Sequence, residues 1–169
     1  MPFFDKTDFE SGFGGWQFKY WMPATRSAHA EIGPNFGFSR SNGVRFHADG
    51  QGDDGIFFLE KMFSIDPNPA CVSLSWFFAD FDPHTPINAW PRVAYIGRPR
   101  DLALQETQHL FTWLDGSDRL THLGDGHWNQ RHYLQDITPM KEIQVSVGWK
   151  INWETERLSF IDNLVVIGE

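Results

Sequence analysis

Aromatic side chains lie next to amide and guanidinium groups in two middle segments, residues 84–98 and 113–132. A pyranose ring has aliphatic C–H faces that stack on Trp or Tyr, and its hydroxyl groups hydrogen-bond to planar amide, carboxylate or guanidinium groups. These residue types indicate that the chain could bind a sugar, although each Trp taken singly could instead pack in the interior. The candidate ligand-binding residues are His84, Trp90, Tyr95, Arg98, Trp113, Trp128 and Lys150.

Signatures of catalysis are absent from the sequence. It has no G-x-S-x-G nucleophile elbow, no G-x-x-x-x-G-K-[ST] loop, no H-E-x-x-H and no dinucleotide-binding fingerprint. Glycoside hydrolysis needs two carboxylates facing each other across a cleft. The spacing of Glu60, Asp80, Asp82, Glu154 and Glu156 selects no such pair. We expect a binding protein rather than an enzyme, with a polysaccharide lyase or glycoside hydrolase as the alternative.

The overall charge restricts the possible partners. The formal net charge is -8, and the sequence pI is about 5.3. A negative field disfavours nucleic acid and anionic membrane surfaces, and it tolerates neutral ligands and divalent cations. We therefore expect no nucleic-acid or membrane partner, while the oligomeric state stays open.

The pattern of apolar residues predicts strands. Ile143 to Trp153 alternates, with Ile143, Val145, Val147, Trp149, Ile151 and Trp153 on the core face and Gln144, Ser146, Gly148, Lys150 and Asn152 on the other. Residues 57–65 alternate similarly, and Val72 to Phe81 indicates a central strand buried on both faces. Short strands with turn residues between them favour an all-β fold, an antiparallel β-sandwich or jelly roll, in one domain spanning residues 1–169. The polar face of Gln144, Ser146, Lys150 and Asn152 is expected to floor a shallow groove.

Two further segments contain residues that could bind a metal cation. Asp49 to Gly55 with Glu60 approaches a calcium-loop pattern, but Gln51 and Asp54 depart from it, so a hairpin turn is the main interpretation. Whether this loop binds a cation stays open. Three histidines in residues 121–132 match no structural zinc spacing, and we expect no zinc there.

Short motifs at both ends give a resemblance to a known family. They are Phe9-Glu10, Gly15-Trp16, the turn Ser41-Asn42-Gly43-Val44, and Asp162 within residues 160–166. These motifs resemble those of the jelly-roll carbohydrate-binding modules, the galactose-binding-like, calcium-containing β-sandwiches. The resemblance implies that the terminal strands lie close together, that the partner is an oligo- or polysaccharide, and that a structural calcium ion is shared between the ends.

A carboxylate at position 162 would be costly to bury unless it is paired or bound to a metal. Calcium prefers several oxygen ligands, which carboxylates and loop carbonyls supply. With the family resemblance, the expected calcium ligands are Glu10 and Asp162 with Asn42 in the adjoining turn. In the alternative interpretation, Asp162 points to solvent and Glu10 pairs with a Lys or Arg.

An alternative to sugar binding stays open, because a structural or protein-interaction module of the same fold would give the same strand pattern.

The compartment also stays open. The first residues lack a basic region followed by an apolar core, so no signal peptide is expected. The chain could be an extracellular or cell-surface domain of a larger protein, and its localisation stays unknown.

Overall fold

The computed structural model describes residues 3–23, 27–49, 54–65, 69–81, 91–114, 128–151 and 157–169. Eleven β-strands lie in these residues, with short 3-10 segments at Phe38–Arg40 and Gln105–Leu110. The strands are β1 (Phe3–Thr7), β2 (Gln17–Trp21), β3 (Ala28–Gly33), β4 (Gly43–Ala48), β5 (Gly55–Ser64), β6 (Cys71–Phe81), β7 (Arg92–Gly97), β8 (Thr112–Trp113), β9 (Asn129–Asp136), β10 (Glu142–Ile151) and β11 (Arg157–Gly168).

The strands form two antiparallel sheets. The first sheet has the order β3-β4-β11-β6-β9, and β1 also pairs with β11. The second sheet has the order β2-β5-β10-β7-β8. The last strand therefore lies inside the first sheet and contacts the first strand, with Phe3 opposite Gly168 and Thr7 opposite Leu164. This arrangement confirms the all-β jelly-roll prediction.

The core between the sheets follows the predicted alternation. On β10 the predicted core residues from Ile143 to Ile151 are fully buried, and Trp149 stacks on Phe57 of the neighbouring β5. From the first sheet, β6 contributes Trp76 and Phe78, both fully buried. Burying these large apolar side chains supplies the main driving force for closing the two sheets on each other.

A second apolar cluster lies on the outer face of the second sheet. Ile56 and Phe58 of β5 and Val93 of β7 are buried there against Leu102 and Phe111. The last two belong to residues 98–111, which we call the covering segment. Because this segment packs on the sheet, β5 is buried on both faces. No helix among the described residues is long and apolar enough to cross a lipid bilayer.

Candidate functional site

Asp162 joins the last strand to the loop before β4. Its carboxylate is fully buried and accepts hydrogen bonds from the backbone N–H of Phe38 at 2.9 Å and from Ser41 Oγ at 2.9 Å. The backbone N–H of Asn163 donates to Oδ1 of Asp162 at 2.6 Å, whereas Asn163 Nδ2 donates at 2.9 Å to Oδ2, the oxygen that also accepts from Phe38 and Ser41. The alternative in which Asp162 points to solvent is therefore wrong.

Glu10 lies on the other side of the same loop. Its Oε1 accepts the backbone N–H of Asn42 at 2.9 Å, while Asn42 Nδ2 reaches the carbonyl oxygen of Glu10 at 3.5 Å. Ser41 contacts Asp162, so the two consecutive residues Ser41 and Asn42 connect the two carboxylates. The structure thus brings together the three residues predicted as calcium ligands, and we call Glu10, Ser41, Asn42 and Asp162 the terminal cluster.

The backbone around the terminal cluster is in a sparsely populated conformation. Phe9, Ser39, Arg40 and Asn163 all have positive φ, between 51° and 67°. Non-glycine residues adopt this left-handed region at an energetic cost, and they tend to do so where surrounding contacts over-determine the conformation. At Asn163 the strand register also shifts, between Asp162 and Val165, where β11 pairs with β6. The bulge places Asp162 against the loop.

The two carboxylates of the terminal cluster carry like charge. Burial raises the pKa of Asp162, the hydrogen bonds from Ser41, Asn163 and Phe38 lower it, and the charge of Glu10 raises it. Among the residues that the structure describes, no Lys or Arg forms an ion pair with either carboxylate. No group of three or more His, Cys, Asp or Glu in the same part of the chain is arranged to hold a metal ion. Any metal here would therefore need backbone oxygens as well.

Three of the predicted sugar-binding residues lie on the outer face of the second sheet. Tyr95 is opposite Ser146, and Trp113 is opposite Val93 of the outer apolar cluster. Register partners in antiparallel strands project to the same face. Lys150 shares this face, because it is opposite Ile56. Trp113 is 51% exposed, so its ring is accessible.

The covering segment lies on the surface where a groove was expected. Gln144 and Ser146 are fully buried, and Gln144 Oε1 accepts the backbone N–H of Arg100 at 2.7 Å. Lys150 is largely buried and donates to Asp54 and Gln108. The expectation that Gln144, Ser146 and Lys150 floor an open groove is therefore wrong, because residues 98–111 fold over them.

An open cleft of about 320 Å³ lies beside the covering segment. It is lined by Tyr95, Ile96, Gly97, Arg98, Arg100, Leu110, Asp136, Ile137, Thr138 and Met140. Its volume falls in the range of small-molecule sites. The hydroxyl of Tyr95 donates to the carbonyl of Arg98 at 2.7 Å. Thus Tyr95 and Arg98, both predicted as ligand-binding residues, line one cleft.

Trp128 lies away from this cleft. Its ring contacts Phe38 edge-on at 6.1 Å, and Phe38 stacks on Phe77 of β6 at 4.6 Å between ring centroids. These rings lie on the outer face of the first sheet, so Trp128 does not join Tyr95 and Trp113. His84 and Trp90 lie outside the described residues, as do most of the acidic loop and of the histidine segment.

Arg92, Tyr95, Gln144 and Lys150, which are side chains of the types that a polysaccharide lyase could use, do not share one face of the sheet. Arg92 is buried, and its guanidinium lies 4.7 Å from the ring centre of the core residue Phe78. The other three side chains belong to the opposite face of the sheet. Glu60, one of the carboxylates considered for hydrolysis, is buried between Lys19 at 2.9 Å and Gln144 at 2.7 Å.

Two residues of these sites were missed by sequence reasoning. Arg100 lines the cleft, and the two arginines of Arg98-Pro99-Arg100, close together in an acidic chain, could have indicated it as a binding residue. Ser41 was considered only for its backbone carbonyl, whereas its side chain holds Asp162. A hydroxyl next to a predicted ligand residue is a frequent partner for a buried carboxylate.

Comparison with known proteins finds likeness in structure but not in sequence. No protein-family model matches the chain. No curated protein matches it in sequence either. Among solved structures, a family 61 carbohydrate-binding module in complex with β-1,4-galactotriose is 11% identical with a TM-score of 0.56, covering 96% of this chain and 94% of that one.

Two further structures are similar over nearly their whole length. The xylan-binding CBM22-1 domain of Paenibacillus barcinonensis Xyn10C is 8% identical with a TM-score of 0.58, covering 95% of this chain and 90% of that one. The K1 cleaved adhesin domain of Lys-gingipain from Porphyromonas gingivalis W83 is 14% identical with a TM-score of 0.61, covering 99% of each chain. At such identities the likeness concerns the fold. The resemblance inferred from the sequence is confirmed at that level: this chain has the fold of the jelly-roll carbohydrate-binding modules.

Proposed function

We propose that this protein is a non-catalytic carbohydrate-binding domain that contacts its ligand at the cleft and at the exposed ring of Trp113 on the outer face of the second sheet. The observation that carries the proposal is the placement of Tyr95 and Trp113 on one face of the second sheet, with the cleft next to Tyr95. An accessible aromatic ring stacks on a sugar face, and the guanidinium and carboxylate groups of the cleft hydrogen-bond to hydroxyl groups. Similar solved structures include domains whose names state galactotriose or xylan binding.

Isothermal titration of the purified chain against a panel of oligosaccharides tests this proposal. We expect binding to at least one glycan, with Trp113→Ala weakening it by about tenfold, in line with the loss of one stacking contact of about 1.5 kcal/mol. Phe4→Ala is the matched control, because Phe4 is 65% exposed on β1 of the other sheet. Absence of heat with every glycan, or equal weakening by both variants, would contradict the proposal.

We also propose that a calcium ion stabilises the terminal cluster. Glu10 and Asp162 would supply carboxylate oxygens, and the turn at Ser41-Asn42 would supply a backbone carbonyl. The proposal is supported by the like charge of the two carboxylates and by the absence of a cationic side chain of the described residues paired with them. When bound, calcium would neutralise this charge and fix the first and last strands to one loop.

Thermal unfolding of metal-stripped protein with and without calcium tests the second proposal. We expect calcium to raise the Tm, because an ion that binds the folded state stabilises it by mass action. In Asp162→Asn the difference between calcium and chelator should disappear, whereas Glu142→Gln, at an exposed position at the start of β10, should keep it. An unchanged Tm in chelator, together with no metal in elemental analysis of the purified protein, would refute it.

A protein-interaction module is the second candidate function. Phe38 is 39% exposed and stacks on Phe77 next to Trp128, which places aromatic rings on the outer face of the first sheet. The similar gingipain domain is named as an adhesin domain. Loss of a protein partner in Phe38→Ser, with glycan binding absent in the wild type, would favour this candidate over the first.

A further inference from the structure

We propose that the cleft recognises a sugar that carries a carboxylate, such as a uronic acid residue. This inference rests on the proposed carbohydrate-binding function and specifies its ligand class. It is drawn from the charged groups that line the cleft and from the contacts that hold them.

The cleft is locally cationic in an acidic protein. The chain has a formal net charge of -8, yet the cleft is lined by two arginines, Arg98 and Arg100, and by one acid, Asp136. Both arginines are exposed, and neither pairs with a carboxylate among the residues that the structure describes. A ligand carboxylate would supply the missing partner, and the two arginines make the cleft more favourable for an anion than the acidic surface around it.

Contacts with the sheet hold Arg100 in place. Its backbone N–H donates to the buried Gln144 at 2.7 Å, which fixes the main chain to the first part of β10. The hydroxyl of Tyr95 donates to the carbonyl of Arg98 at 2.7 Å, and the positive charge of Arg100 lowers the pKa of that hydroxyl. The main chain that carries the two arginines is therefore held in place before a ligand binds, which lowers the entropy cost of binding.

The geometry of the donors favours a carboxylate. Guanidinium is planar and pairs with a carboxylate through two parallel N–H donors, whereas a neutral hydroxymethyl group offers a single oxygen. On the same wall, Asp136 can accept hydrogen bonds from sugar hydroxyl groups, and Ile137 and Met140 present apolar surface to a ring face. The cleft thus combines the partners that an acidic sugar requires.

The test uses pairs of ligands that differ at the carboxyl group alone. Oligosaccharides of galacturonic, glucuronic and mannuronic acid are titrated beside the same oligosaccharides after reduction of their carboxyl groups to hydroxymethyl groups. For at least one pair we expect the acidic member to bind about tenfold more tightly at low salt, since hydrogen bonds to charged groups are worth about 1.5 kcal/mol or more. The preference should decrease as salt is added. A sulfated oligosaccharide distinguishes carboxylate recognition from binding of any anion.

Substitutions of the charged cleft residues test whether the preference for acidic oligosaccharides arises in the cleft. Arg98→Gln and Arg100→Gln should each abolish most of it, whereas Lys6→Gln, which removes an exposed positive charge on β1, should not. Asp136→Asn should strengthen uronate binding by about threefold, because it removes a like charge from the wall. This variant keeps the test valid if an arginine variant unfolds.

The outcomes separate this inference from the function on which it rests. Equal binding of acidic and reduced oligosaccharides would overturn the inference and leave carbohydrate binding in place, and so would preferential binding of the sulfated oligosaccharide. A preference that persists in both arginine variants would also overturn it, because the carboxylate would then bind elsewhere. Binding to no sugar would overturn the proposed function itself.

Discussion

The backbone N–H of Arg100 donates a 2.7 Å hydrogen bond to the side-chain oxygen of Gln144, which attaches the covering segment to the centre of the second sheet. Gln144 also donates to Glu60 at 2.7 Å, and Glu60 pairs with Lys19. One buried glutamine thus satisfies polar groups of the sheet and of the segment above it. Such a network stabilises the fold when every member has a partner and is costly when one is lost.

Gln144→Ala should lower the free energy of unfolding by about 2–4 kcal/mol, because it leaves a buried carboxylate oxygen and a backbone N–H without partners. It should also speed hydrogen exchange of the Arg100 amide. Denaturant unfolding and hydrogen exchange measure the two effects. Gln130→Ala, an exposed glutamine on β9, is the control and should change the stability by less than about 0.5 kcal/mol. Equal costs in both variants would contradict this assignment.

Asp162→Asn should destabilise the protein even without metal. In chelator the change removes a buried acceptor of four hydrogen bonds and turns an amide NH₂ toward its donors, so we expect a loss of about 1–3 kcal/mol. Denaturant unfolding in chelator gives this value. Wild-type stability in Asp162→Asn would mean that the loop is held by other contacts.

Gly148→Ala should be strongly destabilising. A Cβ at this position would lie 2.0 Å from the carbonyl oxygen of Phe57 and 2.6 Å from the Cα of Phe58. Relief requires the backbones of β5 and β10 to separate, and we expect a cost of at least about 2 kcal/mol. Thermal unfolding measures it, with Ser64→Ala at the exposed end of β5 as the control. A near-neutral effect would show that the two strands can move apart freely.

Tyr95 should make the stability fall at high pH. Burial raises its pKa above 10.0, and the neighbouring Arg100 acts in the opposite direction. The folded protein therefore keeps the phenolic proton at pH values where the unfolded chain has lost it. The corresponding stability is present below about pH 10 and is lost as the pH rises through the folded-state pKa.

Tyr95→Phe removes this contribution. The free energy of unfolding, measured across this pH range, should fall more steeply in the wild type than in the variant. Absorbance titration should show, by difference between the two proteins, a tyrosine that ionises above its usual pKa. Identical pH profiles would contradict the expected burial of this hydroxyl.

Local patterns predicted the strands well. The alternation in residues 143–151 required one buried face, and β10 buries that face completely. Val72 to Phe81 predicted a central strand buried on both faces. Strand β6 does lie between β11 and β9, but residues 71–78 alternate between half-buried and buried, so only the face toward the core is fully buried. Successive side chains of a strand point to opposite faces, so the pattern of buried and exposed positions can be recognised in the local sequence.

The covering segment could not be predicted in the same way. Leu102 and Phe111 pack on Ile56 and Phe58, which are more than forty residues earlier in the chain. No local pattern specifies such a contact: the alternation of residues 57–65 indicated one buried face, whereas the first six residues of β5 are all buried. The same limit explains why Trp113 and Trp128, fifteen residues apart, lie on different sheets. Side-chain type suggested binding, but the topology decides which rings share a surface.

The position of β11 has a consequence for biosynthesis. Strand β11 follows the other described strands in the chain and pairs with β1, β4 and β6, so these three strands reach their partner only after residues 157–168 have been synthesised. Until then the apolar inner surface of the first sheet stays without its central strand, which favours association with chaperones or with other nascent chains. Closure of the first sheet therefore waits for residues 157–168, and its rate is governed by contacts of long sequence separation.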